Sequence, residues 1–377
     1  MDMGSVVDVS APFSGRSNGK SRGNAPVGTG PARGSGDASA PNSSAHPRAP
    51  STHFAAIDLG TNNCRLLIAR ESDDGFVVVD AFSRIVRLGE GLHQSGAISE
   101  AAMDRAVAAL AVCADKLRRR RVSLSRAVAT EACRQARNGQ QLIDRIYRET
   151  GILLDIISPA EEARLAVMGC HALLPAGNGP ALIFDIGGGS TELVLIDDGD
   201  GRDRVAIVDW VSVPWGVVSL SEHTVVDGDH VAAHRAAYAT MRGRMTDAFA
   251  AFAARNGLPG GGDVGGLRLL GTSGTITTLA SVYLDLPRYD RSAIDGIHVP
   301  AAAMRAVSQQ LAGQTPAQRA GHPCIGRERA DLVVAGCAIL ETIIDMWPAT
   351  QIGVADRGIR EGILRGLMQP GTRPHAA

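Results

Sequence analysis

One stretch of this sequence repeats another. Ile57-Asp-Leu-Gly-Thr-Asn-Asn-Cys-Arg-Leu-Leu-Ile68 aligns without gaps on Phe184-Asp-Ile-Gly-Gly-Gly-Ser-Thr-Glu-Leu-Val-Leu195. In each, an apolar run ends in Asp, Gly follows two residues later, and short polar residues lead into a second apolar run. That pattern describes two buried strands joined by a tight turn. Two such hairpins, 127 residues apart, imply related halves that face each other across a cleft.

The rest of the chain fits a duplicated α/β architecture. Phe54–Leu59, Cys64–Ala69 and Gly75–Ser83 read as adjacent strands. Ser99 is an N-cap for an apolar helical stripe that ends in Arg118–Arg121. Leu124–Ala129 predicts a strand, Gln135–Thr150 a helix and Ile152–Ile157 a strand. Pro159 opens the next helix, with Glu161 and Glu162 in its first turn. The second unit has strands at Leu182–Ile186, Glu192–Ile196 and Val205–Val213, then a long helix from Asp229 to Arg255. A flexible Gly260–Gly266 stretch, a strand at Leu267–Leu270 and a helix from Thr275 to Leu284 follow. Two more helices, a strand at Gln351–Val354 and a helix at Ile359–Leu367 complete the reading. The expected domains are lobe I over 53–166 and lobe II over 167–370, with helix 359–367 near the hinge. Residues 1–52 are expected to be a disordered tail, since about thirty of the first fifty are Gly, Ser, Ala or Pro. Residues 371–377 form a short second tail.

The repeat carries chemistry. Gly60, Gly187, Gly188 and Gly189 allow a tight backbone approach with amide hydrogens turned toward phosphate oxygens. Thr61, Asn62, Asn63, Ser190 and Thr191 add short donors. Asp58 and Asp185, at strand ends, are hard-oxygen groups suited to Mg²⁺. Two ordinary hairpins would explain the glycines but not an Asp and a hydroxyl set at both. Arg65 in the first hairpin matches Glu192 in the second. One half thus offers phosphate a cation, and the other offers a metal or water a carboxylate.

Composition excludes broader partners. With 38 basic and 39 acidic residues the formal net charge is −1, which argues against nucleic acid and against a polybasic membrane anchor. No apolar run approaches the roughly 20 residues of a membrane span. Six dispersed cysteines, without C-x-x-C pairs or zinc spacing, read as thiols of a reducing cytoplasm.

The doubled Asp-x-Gly hairpin resembles the signature of the ribonuclease H-like fold shared by actin, sugar kinases and heat-shock chaperone ATPases. Six ordered motifs narrow it. They are Ala56–Arg65, Ala129–Asn138, Ile157–Arg164, Asp185–Glu192, Leu270–Thr275 and Asp356–Gly362. Together they closely resemble the exopolyphosphatase/guanosine pentaphosphate phosphohydrolase family in its short two-lobe form. That resemblance implies removal of the terminal phosphate of inorganic polyphosphate or guanosine pentaphosphate, using Mg²⁺ and water. It implies that Glu162, with Glu161 as competitor, activates the water, and that Arg134 grips phosphate. It further implies that Mg²⁺ lies near Asp58, Asp185 and Glu192, that Ser273, Gly274 and Thr275 contact phosphates, and that the protein is a cytoplasmic homodimer. Two departures stand out: Asn63 replaces the family's usual Ser, and Glu131 occupies the place of a small residue. Glu131 beside a polyanion is repulsive unless it points away or binds metal. The alternatives are an ATP-dependent kinase or actin-like ATPase, and a non-catalytic polyphosphate or alarmone sensor. The apolar helix Ala330–Met346 suits a dimer face or a core.

Overall fold

The structure is a computed structural model that describes residues 7–8, 52–73, 75–177, 179–197, 205–224, 226, 231–256 and 267–369. The expected tails at 1–52 and 371–377 therefore lie outside the described residues, apart from Thr52 and Val7–Asp8, and so does Gly260–Gly266. Val7–Asp8 form a two-residue strand paired with Ile207 and Ala206.

The two halves share one sheet topology. In the first sheet, Gly75–Ile85, Asn63–Ser72 and His53–Leu59 pair antiparallel, and His53–Leu59 then pairs parallel with Val122–Ala129, which pairs with Leu154–Ile156. Numbering these five strands in chain order gives the spatial order 3-2-1-4-5. In the second sheet, Ala206–Val213, Thr191–Asp197 and Ala181–Ile186 are antiparallel, and Arg268–Thr272 and Gln351–Ala355 extend the sheet in parallel. The order is again 3-2-1-4-5, with His298–Pro300 and Val7–Asp8 added at the edges. In both sheets the first strand is central and buried on both faces, which is why its sequence is nearly continuously apolar.

Helices cover both faces. Glu100–Arg119, capped by Ser99 as expected, and Gly139–Thr150 pack one face of the first sheet. Val231–Arg255, Ser273–Tyr283, Ala301–Ala312 and Val333–Met346 build the largest core, on the second. Two helices cross between the sheets. Leu165 of Pro159–Cys170 joins the first sheet's apolar cluster, whereas Ala163, Val167 and Cys170 join the second sheet's. The final helix, Ile359–Met368, returns to the first sheet through Ile363, Leu364 and Leu367. The crossing is at backbone contact, since a Cβ on Gly362 would lie 2.0 Å from the Leu165 carbonyl and one on Gly169 2.0 Å from that of Gly358.

Several expected elements differ. The helix expected over 135–150 is two helices, Glu131–Gln135 and Gly139–Thr150. The chain folds back so tightly there that a Cβ on Gly139 would sit 2.2 Å from the Cys133 carbonyl. The strand expected over 152–157 shortens to Leu154–Ile156. A helix at Val217–Glu222 was not expected. Between residues 285 and 350 there are four helices and a strand, where two helices were expected. The long helix begins at Val231 among the described residues, and Asp229 lies outside them. Val333–Met346 is almost wholly buried in its own lobe, so it offers no face to a second subunit.

Candidate active site

Each repeat hairpin makes the same turn. The Gly60 amide donates to the Asn63 carbonyl at 2.9 Å, and the Gly187 amide to that of Ser190 at 3.0 Å. The tips then meet across the cleft. A Cβ on Gly189 would lie 2.5 Å from Thr61 Oγ1, and one on Gly188 3.1 Å from Thr61 Cβ. A side chain at Gly189 would force Thr61 to move, and one at Gly188 would fit only tightly.

The cleft between the tips is lined from lobe I by Asp58, Gly60, Thr61, Asn62, Asn63 and Arg65, and by Glu162 at the start of its helix. From the second lobe it is lined by Asp185, Gly187, Gly188, Gly189, Ser190 and Glu192, with Ser273, Gly274 and Thr275 beside them. Ser273 holds its turn at φ 85°, a left-handed conformation unusual for serine, and donates its hydroxyl to the Ile186 carbonyl at 2.8 Å. A Cβ on Gly274 would lie 3.3 Å from Arg65 Nη2, so the lobe I arginine reaches across to the third glycine loop. No described residue hydrogen-bonds the Arg65 guanidinium, which leaves its five donors for a ligand.

Two expected contacts are not made. Thr191 is fully buried and donates its hydroxyl to the Trp215 carbonyl at 2.6 Å, so it does not face the cleft. Arg134 sits behind the cleft wall. Its Nη1 donates to Glu162 Oε2 at 2.8 Å and to the Ile157 carbonyl at 2.8 Å, and its Nη2 to Glu131 Oε2 at 2.6 Å. The arginine thus orients Glu162 and neutralises Glu131, which answers the repulsion expected of Glu131. Glu161 and Glu162 separate cleanly. Glu161 points out, bound by Arg126 and Arg164, which hold it below the usual carboxylate range against the opposing effect of partial burial. Glu162 is 7% exposed and faces in.

The cleft carboxylates are poorly solvated. Burial, reinforced by the charge of Glu192 and opposed by Arg134, holds Glu162 well above the normal range. Burial and the neighbouring Asp185 push Glu192 up to about 7, against hydrogen bonds from Ser190 and Ser212, the latter at 2.7 Å. Burial pushes Asp185 up to about 6, against the pull of Arg65, and raises Asp58 as well. Four buried carboxylates around one cleft are therefore all pushed toward their protonated forms, with the arginines only partly opposing the shift.

Sequence reasoning missed Thr130, Thr278 and Arg329, which also line the cleft. Arg329 bonds Thr278 Oγ1 at 3.3 Å, and burial, with Arg65 nearby, lowers its pKa. Nothing in its charged surroundings in the sequence distinguishes it from a solvated loop residue.

Known proteins share this sequence pattern and this fold. A family model described as the Ppx/GppA phosphatase family matches residues 67–370. The chain is 31% identical over 337 residues to a protein named exopolyphosphatase 2 from Mycobacterium tuberculosis (strain CDC 1551 / Oshkosh), covering 84% of this chain and 98% of that one. It is 27% identical to a guanosine-5'-triphosphate,3'-diphosphate pyrophosphatase from Aeromonas salmonicida (strain A449), over 84% of this chain but only 59% of the longer relative. The crystal structure of an exopolyphosphatase from Cytophaga hutchinsonii ATCC 33406, 26% identical, superimposes with a TM-score of 0.72 over 84% of this chain and 97% of that one.

Proposed function

Because the chain belongs to the Ppx/GppA phosphatase family, we propose that it is a phosphoanhydride hydrolase that removes the terminal phosphate of inorganic polyphosphate. The observation that carries this reading is Glu162, desolvated and oriented by Arg134, lining the same cleft as two glycine turns. A phosphate chain enters between the turns, where backbone amides and the unengaged Arg65 neutralise its terminal group. Glu162, deprotonated, takes the proton of a water aligned with the terminal phosphorus. Arg134 fixes the carboxylate and offsets part of the burial that raises its pKa.

Mg²⁺ is part of the proposal. Among the described residues, no three acidic, histidine or cysteine side chains close a metal site by themselves. That fits Mg²⁺, which is usually held by one or two carboxylates with substrate phosphates and water. The buried Asn63 amide oxygen without a partner and the excess of desolvated carboxylates suit a cation in the cleft. Asp58, Asp185 and Glu192 would hold it, and when bound it would neutralise charge that develops on the phosphoryl oxygens.

Guanosine pentaphosphate is the second reading, favoured by the relatives named for the related alarmone activity. Side-by-side assays separate the two. Phosphate release from polyphosphate is expected to exceed that from guanosine pentaphosphate, and negligible release from polyphosphate at equal enzyme concentration overturns the first choice. No helix among the described residues is long and apolar enough to cross a membrane, and a cytoplasmic homodimer remains part of the proposal. A monomeric mass in solution would remove the dimer.

A further inference from the structure

A second cavity lies behind the glycine loops, and it shares only Thr61, Glu131 and Gly189 with the catalytic cleft. Those three residues are the wall between them. The wall is one side chain thick, since a Cβ on Gly189 would meet both Thr61 Oγ1 at 2.5 Å and Glu131 Cγ at 3.1 Å. The reacting end of the cleft is at this wall, because Arg134 bonds Glu131 and Glu162 at once. Thr278 and Arg329 line the cleft but not the rear cavity, and on the hydrolase reading they are left to receive the substrate's remaining phosphates. Released phosphate is then trapped between the wall and the chain still bound in front.

We propose that the rear cavity is the route by which cleaved orthophosphate leaves, with His93 and His223 as its gate. His93 belongs to the short helix Leu92–Ser95 of lobe I, and His223 follows helix Val217–Glu222 of lobe II. Their rings meet with centroids 3.4 Å apart, and the Gly91 amide donates to Glu222 Oε1 at 3.0 Å beside them. His223 Nδ1 lies 2.6 Å from the Ser219 carbonyl, which can only accept, so Nδ1 carries a proton and, in the neutral ring, Nε2 keeps its lone pair. Nε2 is buried without a partner among the described residues, and His223 lines the cavity. A phosphate that keeps one P–OH can donate to it. Passage needs Thr61 and Glu131 to swing, and Arg134 can exchange the Glu131 carboxylate for the departing anion. Glu131 is thereby a movable plug.

The inference rests on the hydrolase reading but not on which substrate is used. Initial rates are measured with polyphosphate or guanosine pentaphosphate, whichever the wild type turns over, against added orthophosphate. A rear exit lets orthophosphate bind while substrate fills the front, so inhibition should persist at saturating substrate. Inhibition abolished by saturating substrate overturns the proposal. His93 is exposed, so His93→Trp can fill the mouth without touching a core, which an unchanged melting temperature checks. Steady-state kcat should fall about fivefold while single-turnover cleavage is unchanged, because release and not chemistry is slowed. His93→Ala should keep or raise kcat. Wild-type kcat in His93→Trp, or an equal loss in single turnover, overturns the gate. Turnover of the wrong substrate sinks the substrate assignment alone, and turnover of neither sinks both readings.

Discussion

Asp58 faces Arg65 across the first hairpin, whereas Asp185 faces Glu192 at the same register in the second. The backbone is repeated down to the turn hydrogen bond, yet the charge at one position is inverted. Lobe I carries a cation beside its carboxylate. Lobe II stacks two carboxylates, and burial drives both toward neutrality. A duplicated scaffold thus supplies unlike halves: one presents a cation beside its carboxylate, the other a second buried carboxylate.

The largest expected effect falls on the group that both hairpins serve. Glu162→Gln should lower kcat by about 10²–10⁴-fold with little change in KM, measured as phosphate release, since a lost general base costs that much. A smaller loss would mean that the paired hairpins, and not Glu162, do most of the work. Next, Arg65→Gln and Glu192→Gln should fail differently. Removing a charged hydrogen bond to phosphate, about 1.5–3 kcal/mol, should raise KM by roughly 10–100-fold in Arg65→Gln while leaving the response to Mg²⁺ intact. Glu192→Gln should blunt the Mg²⁺ titration with less effect on KM. Identical behaviour of the two variants would erase the distinction between the lobes.

A third test uses protons. Asp185 and Glu192 hold their protons more tightly in the fold than in the unfolded chain, with pKa values of about 6 and about 7. Their contribution to stability is full below the unfolded values and is lost as pH rises through 6 to 7. Without divalent ions, the melting temperature should therefore fall between pH 5 and pH 8, and Mg²⁺ should restore it. Glu192→Gln should flatten this profile and Arg65→Gln should not. Because the base acts deprotonated, kcat/KM should rise with pH, and the rise should lie above the ordinary glutamate range since burial raises Glu162. The smallest effect is at a hairpin hydroxyl outside the cleft: Thr191→Val should leave KM unchanged and cost about 1 kcal/mol of stability by urea melt, since its hydroxyl serves the Trp215 carbonyl.

The hairpins and their partnership were legible because residues repeat at fixed offsets, and backbone turns follow local sequence. Thr191 could have been read correctly from the same data. Successive strand residues point to opposite faces, so Thr191 and Glu192 cannot both face one cleft. Arg134 could not. Its partner Glu162 is 28 residues away, and nothing local tells a cleft arginine from one that clamps a cleft glutamate. The split helix at 131–150 escaped for a related reason. Gly139 looks tolerable within a helix until the Cys133 carbonyl is placed against it. The charges carried by the hairpins were visible, whereas Arg329, brought in from a distant loop, and the clamping role of Arg134 were not.

The crossing of helices Pro159–Cys170 and Ile359–Met368 has a consequence for how the protein is made. The first sheet is finished by the last helix of the described chain, and the second is covered in part by a helix encoded in the first half. A ribosome-bound chain that has released only lobe I still exposes the apolar face awaiting Ile363 and Leu364. Neither lobe should be separable as an independent fragment, and assembly should be slow, set by contacts about 300 residues apart between strand His53–Leu59 and helix Ile359–Met368.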